Sequence, residues 1–337
     1  MAVAAQRRAA PRFPDLRSFT GPVSPPVAIL LAGACIFLTV GSLMSDRFAE
    51  QTVGGLATGG VFASLALALV LIYRATEVIN FAQGAMAMFT TYIAWQLMHW
   101  GFGYWGAFFA TLGIAFLGGI AIERTVIRPV ENASVLAVVV VTIGLVFVLE
   151  GTASWIWGGD TKLFPSAFST RPIHVGTVVF SIQDLGTIAV SIGAVILLWL
   201  FFQFTKVGLA MRAAALRPAA ARFVGVRVGW MLALGWGLAA VLGAIAGMMI
   251  TPTIFLDPTT MDVVLIYAFA AAVLGGIESP AGAVVGGLAL GVMIALLTEY
   301  VGFVTSEIRL PVALGVLLGV LLIRPSGLFG RPSVRRV

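Results

Sequence analysis

The sequence predicts an all-α polytopic membrane protein, with about ten transmembrane or re-entrant helices and both termini in the cytoplasm. Composition is the first ground: 60% of the residues are hydrophobic and 10% charged, against roughly a quarter charged in an average soluble domain. A chain so poor in polar side chains cannot cover a globule in water. Length is the second, because apolar runs of about twenty residues recur, each able as a helix to cross a hydrocarbon core of about 30 Å. The third is a one-sided distribution of arginine and lysine along the chain.

Residues 1–26 form a basic cytoplasmic tail carrying Arg7, Arg8, Arg12 and Arg17. The first apolar run, 27–45, exceeds the ~7–15 residues of a signal-peptide core and lacks a clean small-x-small cleavage site, so it reads as a retained helix. Arg7 and Arg8 read as part of an ordinary positive tail rather than a twin-arginine address. The single cysteine, Cys35, lies in this run, which excludes an intrachain disulfide. Further helices are expected at 52–73, 79–98, 104–122, 135–157, 185–204, 229–250, 263–277, 281–301 and 306–323. Gly84, Gly275 and Gly276 weaken the runs at 79–98 and 263–277, which are read as spanning or re-entrant. Residues 27–324 thus make one transmembrane domain containing a cytoplasmic loop at 205–228, and 325–337 form a cytoplasmic tail.

Threading ten helices from a cytoplasmic amino terminus puts sixteen basic residues inside and four outside. The inner set is the tail arginines, Arg74, Arg124, Arg128, Lys206, Arg212, Arg217, Arg222, Arg227, Arg324, Arg331, Arg335 and Arg336; the outer is Arg47, Lys162, Arg171 and Arg309. This is the bias of a correctly threaded membrane protein, and it accounts for the net charge of +6 without nucleic acid. Trp100, Trp105, Trp155 and Trp157 fall at outer helix ends, and Trp199 and Trp230 at inner ones, as interfacial belts require.

No enzyme motif is present. The only lysines, Lys162 and Lys206, each follow threonine, so no phosphate-binding loop of the G-x-x-x-x-G-K-[ST] form exists and the chain is not itself an ATPase. His99 and His174 are far apart and lack clustered metal-binding partners, so no metal is expected. Glu150 is the only carboxylate well inside an expected span, where it lines a solute path or serves structure. Asn80 and Gln83 interrupt an apolar pattern; such amides satisfy the backbone of a broken helix or offer hydrogen bonds to a passing solute.

The loop between the sixth and seventh runs carries five basic residues and no acid from Thr205 to Gly229. Within it, Pro218 to Gly225 has the form of a short helix: proline is tolerated at the first helical position, alanines favour helix, and Gly225 can close it with a left-handed residue.

Four stretches resemble a known family. Ala219, Ala220, Ala221 and Gly225 are similar to the E-A-A-x-x-x-G coupling loop of ABC importer permeases, with Ala219 in place of the usual glutamate. Val61 to Met88 resembles the first hallmark of the branched-chain amino-acid ABC permease family, with Gln83 at the histidine of I-N-F-A-H-G. Ala268 to Gly291 resembles its second hallmark, and Arg324 to Val337 the tail of the H-type (LivH-like) subunit. The likeness runs from about Thr52 to the carboxyl terminus.

The resemblance implies a permease subunit of an ATP-driven importer in the bacterial plasma (inner) membrane, for branched-chain or related aliphatic amino acids. It implies as partners a second permease (an M-type paralogue or a second copy), two cytoplasmic ATPases that bind the ATP, and an extracytoplasmic solute-binding protein. Arg212, Pro218, Ala219, Ala220, Ala221 and Gly225 would form the coupling loop, and Asn80, Gln83 and Glu150 would lie on the solute path. Urea, short amides or aromatic acids are alternative solutes within the family. An ion-coupled carrier, the rival from another class, normally needs several buried acids or histidines. Small-x-x-x-small pairs, Gly282 with Gly286 and Gly287 with Gly291, allow close helix contact.

Overall fold

A computed structural model describes residues 36–41, 45–131, 133–175, 178–302, 304–305, 307–324 and 326–330. The expected tail 1–26 lies outside them, as do most of the first run, 27–45, and the last seven residues of the tail 325–337; residues 36–41 are helical.

The described chain is a helical bundle. In order, its helices are α1 (Asp46–Thr76), α2 (Gln83–His99), α3 (Tyr104–Ile122), α4 (Val135–Trp157), α5 (Ile182–Phe204), α6 (Lys206–Leu216), α7 (Pro218–Phe223), α8 (Val228–Ile254), α9 (Thr260–Gly275), α10 (Pro280–Tyr300) and α11 (Arg309–Ile323). Side-chain caps start several of them: Ser45, Ser134, Ser181, Thr205 and Ser279 each accept a backbone N–H of the first turn. Pro280 then follows at the first turn of α10.

Six helical segments among the described residues are long and apolar enough to cross a membrane: α1, α3 with its continuation to Val130, α4, α5, α8 and α10. The 31 residues of α1 span about 46 Å, whereas the 16 of α9 span about 24 Å, short of a hydrocarbon core. Helices α2 and α11, with 17 and 15 residues, are also short.

Two features depart from the sequence expectation. Strands Pro172–Val175 (β1) and Val178–Ser181 (β2) pair antiparallel, with Ile173 opposite Phe180, in a chain expected to be all helical. Glu50 Oε1 accepts the Val179 N–H at 2.9 Å and so ties this hairpin to α1. In addition, α3 does not stop at its expected end but continues through a π-turn, Glu123–Ile127, and a 3-10 turn, Arg128–Val130.

The core lies between α1 and α8, whose apolar windows are each 83% buried. On α10, Gly287 and Gly291 face Ala63, Gly59 and Gly55 of α1 so closely that a β-carbon on Gly59 would stand 2.9 Å from the Gly287 carbonyl oxygen. Gly282 and Gly286 turn instead to Gly275 and Ala271 of α9. One helix thus offers two small-residue stripes to two neighbours, and van der Waals packing replaces the hydrophobic drive that lipid cannot supply.

One end of the bundle gathers the basic residues. The last turns of α1 and α5 meet α6 and the first turns of α8 and α10 there, bringing Arg74 and Arg212 to one cavity. Arg124 and Arg128 reach Trp230 and Gly229 at the start of α8. Leu328 and Phe329 donate to the carbonyls of Leu274 and Gly275, so the carboxyl-terminal stretch covers the end of α9. Arg47, paired with Glu299 at 3.8 Å, and Lys162, over the Trp95 ring, lie at the opposite end.

Candidate functional site

At the basic end, the segment between α5 and α8 folds as a helical projection. Thr205 ends α5 and starts α6, its hydroxyl accepting the Gly208 N–H at 2.9 Å. Arg217, at φ −147° and ψ 78°, breaks the chain between α6 and α7, and Pro218 opens α7. Gly225 then adopts φ +84°, with its N–H bonded to the Arg222 carbonyl at 3.1 Å and that of Val226 to Ala221 at 3.0 Å. This pair of bonds is a Schellman stop, which needs a left-handed residue and therefore glycine.

The projection has a root and a tip. Ala214, Ala221 and Val228 are buried together and pack with Val226, Met231 and Leu232, joining α6, α7 and the first turn of α8. Beyond them, Leu216, Phe223 and Val224 are 71%, 92% and 78% exposed, adjoining in sequence the exposed Arg217 and Arg222. An apolar tip with adjoining arginines on a two-helix stem has the composition of a protein-contact surface.

The expected loop residues divide between these two parts. Pro218, Ala219, Ala220 and Gly225 are exposed near the tip, while Ala221 belongs to the root. Arg212 turns back toward the bundle, with Nη1 3.4 Å from Gln203 Oε1. Leu216, Phe223 and Val224 escaped the sequence reading because apolar residues in a basic loop carry no signal until burial is known.

Asn80 and Gln83 meet at the break between α1 and α2. Glu77, at φ 57°, ends α1, and Asn80 Oδ1 accepts the Ala82 N–H at 3.0 Å. Asn80 Nδ2 donates to Gln83 Oε1 at 3.4 Å, and Gln83 Nε2 donates to the Ala239 carbonyl of α8 at 2.9 Å. Both side chains are fully buried, so in this conformation they bind the chain's own backbone and each other.

Glu150 is half-buried on α4, and its carboxyl lies within hydrogen-bonding reach of Asp262 at the start of α9. Glu123, in the π-turn that continues α3, is 2% exposed and pairs with Arg124 at 3.6 Å. The Arg124 guanidinium also lies 3.9 Å from the Trp230 ring centre, so the end of α3 grips α8 just past the projection. Trp157, the last residue of α4, stacks on Tyr92 at 5.0 Å and donates to Gln96.

Comparison with known proteins finds transport permeases similar over most of the chain. The high-affinity branched-chain amino acid transport system permease protein LivH of Salmonella typhimurium is 31% identical, over 87% of this chain and 100% of that protein. The same-named protein of Escherichia coli is 30% identical over the same shares. BraD of Pseudomonas aeruginosa, also named a high-affinity branched-chain amino acid transport system permease protein, is 30% identical over 86% of this chain and 98% of its own. Among solved structures, a chain of PsaBC from Streptococcus pneumoniae in complex with Fab aligns at a TM-score of 0.45 and 14% identity, covering 87% of this chain and 97% of that one. The profile of the family described as branched-chain amino acid transport system / permease component matches residues 51–323, and the chain belongs to that family.

Proposed function

We propose that the chain is the membrane-spanning permease subunit of an ATP-driven importer for branched-chain or related aliphatic amino acids. It pairs with a second permease in the bacterial plasma membrane, with the basic end in the cytoplasm. Two separate ATPase subunits bind and hydrolyse ATP, and an extracytoplasmic binding protein delivers the solute. The observation that carries the reading is the projection from α6 to α7, whose tip exposes Phe223 and Val224 while its root is continuous with α5 and α8. A force applied at the tip by closing ATPases reaches both helices through the buried alanines, and Arg124 on Trp230 extends the contact to α3. Glu150 and Asp262 lie at the opposite end, where solute would enter, and are the ionisable pair assigned to its path. Asn80 and Gln83 brace the broken helix beside that path in the conformation seen.

The test is reconstitution of the chain with the permease, ATPase and binding-protein products of neighbouring genes. Uptake of labelled leucine or isoleucine that requires both ATP and the binding protein is expected. Uptake by this chain alone, driven by an ion gradient, would overturn the reading.

A further inference from the structure

We propose that Arg124, held by Glu123 against the Trp230 ring, is a positioning residue for transport, a role that rests on the importer reading. It keeps α3 engaged with the first turn of α8 while the projection is driven, and so sets how much solute moves for each ATP hydrolysed. Trp230 lies in the first turn of α8, directly after the projection. The Arg124 guanidinium lies over its ring, 3.9 Å from the centre. Arg128 Nη2 would stand 3.2 Å from a β-carbon on Gly229, so two arginines from the end of α3 bear on adjacent residues of α8.

Three properties point to a moving contact and not a brace. First, the ion pair is loosely held. Glu123 is 2% exposed and its Oε2 stands 3.6 Å from Arg124 Nε, yet Glu123 Oε2 and the Arg124 Nε and Nη2 atoms are buried and make no hydrogen bond among the described residues. Buried charges in such a pair often stabilise a fold no better than apolar side chains of similar volume, so holding α3 to α8 does not require them. Second, that holding is done deeper in the bundle, where Gly119 lies against Ala240 and the Trp236 carbonyl, and Gly237 against Phe116. Third, a guanidinium on a ring is a contact without fixed direction. Its attraction persists to about 6 Å from the ring centre, whereas a hydrogen bond is lost beyond about 3.5 Å. From 3.9 Å, the Trp230 ring can therefore shift by about 2 Å with α3 still engaged.

Glu123 and Arg124 both lie in the π-turn that continues α3, a helix form frequent at functional sites. The root of the projection packs on Val228 and Met231, on either side of Trp230 in the first turn of α8, so a displacement of the root displaces the ring. A grip that slips without breaking passes that motion on to α3.

The experiment reconstitutes the full complex in proteoliposomes, this chain with the second permease, the ATPases and the binding protein, and measures leucine uptake and phosphate release together. Replacing the ion pair by Glu123→Leu with Arg124→Met should leave melting and ATP hydrolysis unchanged and lower uptake per ATP about fivefold. Trp230→Leu should do the same, and joined to the double variant it should add no further loss, because both remove one contact. Arg124→Lys and Trp230→Phe, which keep a cation and a ring, should each retain most of the wild-type ratio. A wild-type ratio in the double variant or in Trp230→Leu overturns the assignment. So does a lowered melting temperature of the double variant, which would make the pair a brace, and so does an equal loss of uptake and hydrolysis, which would place it in ATPase docking. A wild-type complex without ATP-dependent uptake would strike the importer reading itself, whereas failure of the Arg124 assignment shows only in variants of a transporting complex.

Discussion

Helices α1 and α4 are similarly apolar, yet 83% of the α1 window is buried in the bundle and 17% of the α4 window. The difference lies in side-chain size. In α1, Gly55, Gly59, Gly60, Ala63, Ala66 and Ala68 are buried, whereas Val140, Phe147 and Val148 of α4 point outward with 58%, 69% and 61% exposure. Lipid is as apolar as leucine, so hydrophobicity does not sort membrane helices into core and rim; closeness of approach does. A glycine-rich face gains by packing on protein, and a branched or aromatic face is as well served by lipid or by a partner subunit.

The strongest way to break this comparison is to put the same side chain on both helix systems. Leucine at Gly291 on α10 would enter the backbone of α1 at Gly55 and Gly59, and overpacking of this kind costs at least ~1–3 kcal/mol. Leucine at Gly144 on α4 meets nothing within 4 Å and removes a flexible helical glycine, so it should be neutral or stabilising by about 0.5–1 kcal/mol. Thermal unfolding of the two variants in detergent should therefore move in opposite directions. Equal losses would show that α4 is packed as tightly as the core.

The projection repeats the contrast on a smaller scale. Phe223→Asp at the exposed tip should leave melting unchanged and weaken ATPase binding by about 2 kcal/mol, roughly thirtyfold. Ala221→Asp at the buried root should lower the melting temperature, since it buries a charge with no partner among the root's apolar side chains. Gly225→Val lies between them: its φ of +84° is strained for a branched residue by about 1–2 kcal/mol, enough to loosen the Schellman stop without unfolding the bundle. Binding isotherms with the purified ATPase and melting curves together separate the three. A tip variant that melts early, or a root variant that does not, would invert the assignment.

Most of the bundle was legible because helix existence follows from apolar length, whereas starts set by the caps Ser45 and Ser181 were missed by several residues. The run expected at 135–157 matches α4 residue for residue, and the helix expected from Pro218 ends where Gly225 permits. The glycine pairs of α10 were legible as contacts but not as two separate stripes, because their partners, Ala63 and Ala271, lie in distant segments. The hairpin at 172–181 was missed: it is held in part by Glu50, 129 positions away from Val179. The burial of Glu123 was missed for another reason, since the apolar pattern ends at 122 whereas the helix continues through the π-turn. Local structure was thus legible where it follows from a short motif, and lost where it depends on a distant neighbour.

The smallest expected effect concerns Glu150, the ionisable group of the otherwise lipid-like α4. Its carboxyl stands beside that of Asp262 and brings the least buried of the six spans near the start of α9. A glutamine at 150 offers a donor to the Asp262 carboxylate, so Glu150→Gln should alter stability by no more than about 0.5 kcal/mol, while Glu150→Leu, which leaves Asp262 without a polar neighbour there, should cost ~0.5–1.5 kcal/mol. If the pair serves the solute path, Glu150→Gln should also change reconstituted uptake by about twofold, the kinetic equivalent of ~0.5 kcal/mol. Unchanged uptake in a stable Glu150→Gln protein, beside a destabilised Glu150→Leu protein, would reassign the pair to holding α4 against the bundle, the task that glycine performs for α1.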